Sequence, residues 1–436
     1  MVVFRVTDNI NIKTTDGTLV KYEKVKGPSN LLNETIYIST LEDFNDLRRV
    51  FQSVGNKYKV KIIDEAKVRY LNQFPKELGI NNINEYNITN NLNYKYRNLN
   101  YIDKDTYPLD SVYLNEQKVD IKKQIEGTLK KDIKVLILGN CGNSISEMVC
   151  ACTALRLFYE QLCKSFKSVK IDIYLNASEN RYFSRDKMIF SNQAFINKVS
   201  ALSIDVKEFC TYDFFVDTSS VINRSYHQTL TFTDAWLHKL GLDYKKIPQE
   251  KKYNEINIST YKPNKELVEK IKNIKANGKI LLYHPYSANL KKSIPKEIAV
   301  SLLKKLSVKM TDYTIISTLK LESKTNSDNY VDLSADSKSF LDFCYIVSNA
   351  TKILTVDTST YHIADAYFIP TVCILSDKDE KKPISQYNFS KVIFVKDETK
   401  DFSQFIFRNE SLLLYKFDGW QKLKASKVIK LLEKFW

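Results

Sequence analysis

Glycine is scarce in this chain, at 10 of 436 residues, where average usage of about 7% would supply roughly thirty. None lies between Gly278 and Gly419. A glycine-rich phosphate loop needs backbone at positive φ and close approach to a pyrophosphate, so the C-terminal part holds no such loop. Any phosphate bound there is left to helix N-termini, hydroxyls and lysine. Long apolar runs are missing too: no stretch approaches the roughly eighteen uncharged apolar residues of a membrane span. Met1-Val-Val-Phe-Arg5 has neither the charged start nor the apolar core of a signal peptide, and the expected location is the cytoplasm. Seven cysteines are too few for a disulfide scaffold at this length, and an odd count suits a reducing compartment. Cys152 and Cys163 would lie on one helix about 16 Å apart at ~1.5 Å per residue, too far for one tetrahedral ion. With Cys141 and Cys150 they read as buried small hydrophobes. His227 and His238 show no ligand spacing either, so no metal site is expected.

Hydrophobic residues make up 43% of the chain and aromatics 12%, enough to fill the cores of two or three domains. The net charge of +15, spread over scattered lysines, suggests an anionic partner. No nucleic-acid module and no CxxC zinc pattern appears, so nucleic acid is not expected. A phosphorylated donor or acceptor and a peripheral contact with an anionic membrane remain, and lysines at 291–292, 304–305 and 422–434 suit either. Solubility alone also favours surface lysine.

Along the chain, residues 1–79 read as a small α+β unit. Strands over 3–13 and 19–25 flank the turn Thr15-Asp-Gly17, a strand covers 35–39, and Ser39-Thr-Leu-Glu42 forms a capping box for a helix that Gly55 ends. Strand 58–63 and helix 65–74 follow. In residues 81–100 nine of twenty are asparagine, the mark of an irregular connector. Residues 1–130 are thus an accessory domain. A second domain, 131–250, opens on the apolar run Ile133-Lys-Val-Leu-Ile-Leu138, then a helix over 145–164 and strands at 170–175 and 213–217. The stretch 245–278 turns polar, with Pro248, Pro263 and one helix over 265–276, and reads as a connector. A third domain, 251–436, repeats the alternation: strand 279–284, helix 296–308, strand 313–317, helix 339–349. Alternating strands and helices call for parallel sheets covered on both faces, an α/β fold of two Rossmann-like domains.

The richest segment is Lys352-Ile-Leu-Thr-Val-Asp-Thr-Ser-Thr-Tyr-His-Ile-Ala-Asp-Ala-Tyr-Phe-Ile-Pro-Thr371. It reads as buried strand, polar turn, helix, proline stop and a further strand. Asp357, Thr358, Ser359 and Thr360 supply cap residues and hydroxyls at a helix start, where unpaired N–H groups favour an anion. His362 would lie one turn in, on the side of Thr358 or Ser359. A plain helix cap is the other reading of Asp357 and Thr358.

This segment resembles the nucleotide-binding signature of glycosyltransferase family 9, the ADP-heptose:lipopolysaccharide heptosyltransferases. That signature runs Asp-Thr-Gly-x-x-His-x-Ala-x-Ala and then Pro. Asp357, Thr358, His362, Ala364, Ala366 and Pro370 match it, and Ser359 stands in for the glycine. Tyr283-His-Pro-Tyr-Ser-Ala-Asn-Leu-Lys-Lys-Ser-Ile-Pro295 resembles the family's His-Pro-Gly-Ala-Ser followed by Lys-x-Trp-Pro. The resemblance puts Lys292 at the phosphate-binding lysine and Ser287 near its helper hydroxyl, with Tyr286 replacing glycine and Ile294 tryptophan. Asn143 to Arg156 is similar to the family's first helix, and anchoring on Ala154-Leu155-Arg156 puts Glu147 at the acidic position of the general base. A capping box from Ser144 to Glu147 is the other reading of that glutamate. By spacing, Glu322 matches an acid that reaches the ribose, and Arg224 an arginine facing a phosphorylated acceptor; an ordinary surface arginine is the alternative.

The resemblance covers residues 133–375. It implies a GT-B arrangement whose C-terminal helix, over 424–435, crosses back to the first half. The implied activity is inverting, metal-independent transfer of a sugar from a nucleotide-diphosphate sugar, ADP-heptose in this family, to a cell-surface glycan or protein, as in lipopolysaccharide biosynthesis. Glu147 would accept the acceptor's proton. Lys292 and the turn 357–360 would hold the leaving diphosphate. The lost glycines and the exchange of aspartate for Glu147 keep a second expectation open, a catalytically silent GT-B protein that binds or scaffolds.

Overall fold

A computed structural model describes residues 1–24, 35–53, 55, 59–63, 71–80, 119–219, 221–288, 292–321, 328–376, 385–395 and 418–435. The asparagine-rich stretch from 81 and Glu322 lie outside the described residues, as does most of the helix expected over 65–74. The chain divides into two units, Met1–Pro248 and Gln249–Trp436.

The first unit starts with β1 (Val2–Val6), β2 (Ile10–Lys13), β3 (Leu19–Tyr22), β4 (Tyr37–Ser39), α1 (Leu41–Ser53) and β5 (Val60–Ile62). It continues with β6 (Lys76–Glu77), β7 (Asp132–Leu138), α2 (Ile145–Leu162), β8 (Ser168–Leu175), α3 (Phe183–Ser191), β9 (Ile196–Ala201), β10 (Ile204–Asp205), β11 (Phe214–Asp217) and α4 (Phe232–Lys239). The expected hairpin forms: β2 and β3 pair antiparallel, and Gly17 supplies the positive φ of 85° their turn requires. A parallel sheet runs β6-β11-β7-β8-β9. Its centre, β7, has Val135, Leu136, Ile137 and Leu138 fully buried, the double-sided burial that a parallel strand demands. α2 covers it with a face of small and branched residues, among them Val149, Cys150, Ala151, Ala154 and Phe158.

The described residues before 130 do not form a separate layer of pairing. Their antiparallel sheet, β10-β4-β1-β5, takes its outer strand from Ile204–Asp205, and β6 joins the parallel sheet beside β11. The physical reason is visible at α1. The expected box of Ser39 and Glu42 is replaced by one residue later: Thr40 Oγ1 accepts from Asp43 N at 3.1 Å. Asp43 is fully buried. Its Oδ1 accepts from Ala177 N and Ser178 N, both at 2.9 Å, and its Oδ2 from Ser39 Oγ at 2.8 Å. Burial pushes this carboxyl's pKa up while those N–H and O–H donors draw it back. Partners about 130 residues away decide where the helix starts, and they bind α1 to the loop after β8.

The second unit contains α5 (Lys265–Ala276), β12 (Lys279–His284), α6 (Lys296–Lys309), β13 (Tyr313–Ser317), β14 (Tyr330–Asp332) and α7 (Phe340–Ser348). Then come β15 (Lys352–Val356), α8 (Ser359–Ala366), β16 (Thr371–Ser376), β17 (Ser390–Val395) and α9 (Ala425–Glu433). Its strands form one parallel sheet, β14-β13-β12-β15-β16-β17. Ser339 and Asp342 close a full capping box at the start of α7.

The expected crossing of the C-terminal helix is corrected here. Val428, Ile429 and Leu432 of α9 share one core cluster with Leu302, Leu303 and Leu306 of α6 and Tyr283, Val372 and Ile374 of the sheet. Lys352, itself 6% exposed, donates from Nζ to Leu432 O at 2.6 Å and to Phe435 O at 2.9 Å. A cation on terminal carbonyls is the favoured partner of a helix C-terminus. The polar stretch 245–278 is not a free connector either: Asn254 and Ile256 are buried, as are Leu267, Ile271 and Ile274 of α5.

Candidate functional site

In a parallel sheet the loops that leave the carboxyl ends of adjacent strands lie together, and ligands settle there. In the second unit β12 and β15 are neighbours, with His284 opposite Thr355. The loop after His284 and the turn after Val356 therefore meet. Lys292 Nζ lies 2.5 Å from Asp357 Oδ2, so two residues that the motifs singled out 65 positions apart form one ion pair. Both are partly exposed, at 28% and 20% of their side chains, so the pair is open to a solute.

The loop carrying Lys292 is braced. Ile294, 1% exposed, sits in the core, its N–H donating to Pro285 O at 2.9 Å. Ser293 Oγ accepts from Ser287 N at 2.9 Å and donates to Ser287 O at 3.1 Å. An apolar residue at 294 thus fills an anchoring place, and Ser287 contributes its backbone to the brace. His284 is buried at the strand end with Nδ1 3.2 Å from Thr318 Oγ1, and burial lowers its pKa to about 4, so it is neutral at physiological pH.

On the turn, Thr358 is the N-cap of α8, its hydroxyl accepting from Thr360 N at 3.0 Å. Ser359 is half-buried at the first helical position. Thr360 is buried, and among the described residues its hydroxyl has no hydrogen-bond partner. His362, one turn into α8, is 2% exposed, and its Nδ1 lies 2.6 Å from Tyr387 Oη. Around it is a network absent from the motif reading. Asn254 Nδ2 donates to Tyr387 Oη at 2.9 Å and to His362 O at 3.1 Å, and Asn254 N donates to Asp365 Oδ2 at 2.7 Å. Burial raises Asp365 to about 7, with the Asn254 N–H pulling the other way. Asn254 was not legible in this role because its partners lie 108 to 133 residues away. Of Asn254, Asp365 and Tyr387, only Asp365 stands out in sequence, as an acid between Ala364 and Ala366.

In the first unit Glu147 stands in the first turn of α2, half-buried. Its N–H donates to Ser144 Oγ at 3.2 Å, and its Oε2 accepts from Asn143 N at 2.6 Å. The carboxylate therefore also serves as a cap, with Oε1 making no hydrogen bond among the described residues. Gly142 permits this at φ 121°: a Cβ there would stand 2.5 Å from Glu147 Cβ and 3.1 Å from its Oε2. Arg224 is 8% exposed and is not a surface arginine. Of the cysteines read as buried, Cys141, Cys150 and Cys152 are so, whereas Cys163 is exposed. Among the described residues no helix is long and apolar enough to cross a membrane.

No family model matches this chain, and no curated protein matches it in sequence. Solved structures similar to it include a family 9 glycosyl transferase from Veillonella parvula, at 10% identity and a TM-score of 0.48 over 70% of this chain and 97% of that one. ADP-heptose lps heptosyltransferase II of E. coli follows at 11% and 0.48, covering 69% and 98%. E. coli heptosyltransferase WaaC, solved with ADP, is similar at 14% and 0.44, over 69% and 99%. In structure, this chain is similar to proteins described as a family 9 glycosyl transferase and as heptosyltransferases.

Proposed function

We propose that the protein is an inverting glycosyltransferase that moves a sugar from a nucleotide-diphosphate sugar to a hydroxyl of a cell-surface glycan or protein, with ADP-heptose as the donor. The observation that carries this reading is the Lys292 and Asp357 pair beside the N-cap of α8. A partly exposed ammonium next to a helix N-terminus is chemistry suited to a diphosphate. When the donor binds, Lys292 turns from Asp357 to the diphosphate and neutralises the charge that grows as the sugar–phosphate bond breaks. Lys292 supplies the positive charge itself, so the step as written needs no metal. Ser359 offers a hydroxyl oxygen where a glycine would offer only backbone, which bears on how closely a phosphate is held.

In the first unit Glu147 takes the proton of the acceptor hydroxyl, whose oxygen forms a bond to the anomeric carbon. The bond from that carbon to the diphosphate breaks on the opposite side, and the nucleoside diphosphate leaves with the electron pair. Glu147 can do this through Oε1 while Oε2 stays on Asn143 N, since a carboxylate has two acceptor oxygens. A second reading, a silent binding protein, is favoured by that same cap: a glutamate with a structural task needs no catalytic one.

The test is calorimetric titration with ADP, then release of ADP from ADP-heptose in the presence of candidate acceptors. Wild type should bind, and Lys292→Met should bind about ten- to hundredfold more weakly, the worth of one charged hydrogen bond. Glu147→Gln should retain binding and lose roughly 10²- to 10⁴-fold in turnover. Undiminished turnover removes Glu147 as the base, and absence of binding by the wild type leaves the silent reading standing.

A further inference from the structure

α6 and α9 lie against the same face of the second unit's sheet and share its core. The residues they bury are Leu302, Leu303 and Leu306 on one helix and Val428, Ile429 and Leu432 on the other. What remains faces outward. On α9 and its C-cap, Lys427, Lys430 and Lys434 recur at intervals of three and four, a stripe opposite Val428, Ile429 and Leu432. All three are exposed, as are Lys304, Lys305 and Lys309 of α6. Val308 stands among them, 73% exposed. The acids on these two helices are only Glu297 and Glu433.

Exposed lysines without an ion pair among the described residues occur elsewhere too, Lys265, Lys272 and Lys275 of α5 among them, but α5 intersperses them with Glu266 and Glu269, and other lysines are neutralised directly. Lys59, Lys187, Lys198 and Lys270 each hold a carboxylate within 3.1 Å. Lys304, Lys305, Lys309, Lys427 and Lys430 form no ion pair among the described residues. Their positive charge is unneutralised and clustered on two adjacent helices, the pattern that an anionic bilayer surface attracts. The patch contains lysine and no arginine, so it offers point charges rather than planar forks for individual phosphates. Among the described residues α6 and α9 carry no exposed aromatic on which a nucleobase could stack, while Val308 adds an apolar contact at the headgroup boundary.

We propose that the outer face of α6 and α9 is a docking surface for anionic lipid bilayers. This goes beyond the glycosyltransferase reading and stands whether or not that reading holds. The experiment is vesicle co-sedimentation of the full chain, comparing phosphatidylcholine with the same lipid containing about 30 mol % phosphatidylglycerol. It is run at low salt and again at about 1 M, where the Debye length shrinks to ~3 Å. Wild type should bind only the anionic vesicles and release at high salt. The variant Lys304→Gln, Lys305→Gln, Lys427→Gln, Lys430→Gln should lose binding at least about tenfold. A control with the same change in net charge, Lys265→Gln, Lys272→Gln, Lys275→Gln and Lys338→Gln, should bind like wild type. Circular dichroism and melting confirm that both variants fold, as exposed substitutions should. Equal binding to neutral vesicles, equal loss in both variants, or a preference for duplex DNA or RNA over anionic vesicles overturns the proposal.

Discussion

At the scale of single residues, burial sets the chemistry of two groups in opposite directions. His284 is held neutral by its surroundings, with a pKa near 4, and Asp365 is pushed up to about 7. The unfolded chain releases the Asp365 proton near 3.8, whereas the folded chain keeps it until about 7. Across that window the folded state carries the extra proton, so this residue makes stability fall as pH rises. His284 acts oppositely, because its folded value lies below 6.5. Urea unfolding of wild type and Asp365→Asn at matched pH values separates the two. Wild type should lose stability relative to the variant between pH about 4 and 7, and parallel curves would remove Asp365 from the account. The meeting of Lys292 with Asp357 was legible, since both lie in short motifs that follow the carboxyl ends of neighbouring strands. The contact of His362 with Tyr387 was not, because Tyr387 lies outside the motif.

At the scale of elements, strands β12, β13 and β15 were readable from continuous apolar runs, and α5 from its two polar borders. β9 and β17 were not: only two of the six residues of β17 are buried, and only one of the six of β9. The period that identifies a buried strand is therefore weak in both. α9 was readable as a helix, yet its docking was not, since nothing in its own sequence names Lys352. That lysine anchors it, and Lys352→Met should keep the stem's packing while leaving two helix-end carbonyls without their cation. The expected loss is roughly 1.5–3 kcal/mol, read as a lower urea midpoint with an unchanged slope.

At the scale of the molecule, residues outside the motif resemblance are built into the first unit. Phe4, Tyr22, Tyr37, Phe44 and Phe51 form their own core, but β4 pairs with β10 and Asp43 satisfies the loop at 177–178. Gly139, at φ 107°, is packed so closely that a Cβ would lie 2.8 Å from Thr40 Cγ2. A chain lacking residues 1–63 should therefore expose the edge of β10 and the loop after β8. The check is dye binding and loss of a cooperative thermal transition; a truncated chain that melts like wild type would make the segment an independent appendage. A boundary near 130 looked natural in the sequence because of the asparagine-rich stretch that precedes it, while pairing across that stretch leaves no trace in composition.

Asn254 lies six residues beyond the division at 248, and it is fastened to the body of α8 and to Tyr387 by its main chain and its amide. The chain thus opens the second unit as a segment pinned twice, by Gln249 Nε2 on Gln386 O at 2.9 Å and then by Asn254. α8 is in turn held at both ends, at Asp365 by Asn254 and at its start by its own Thr358 cap.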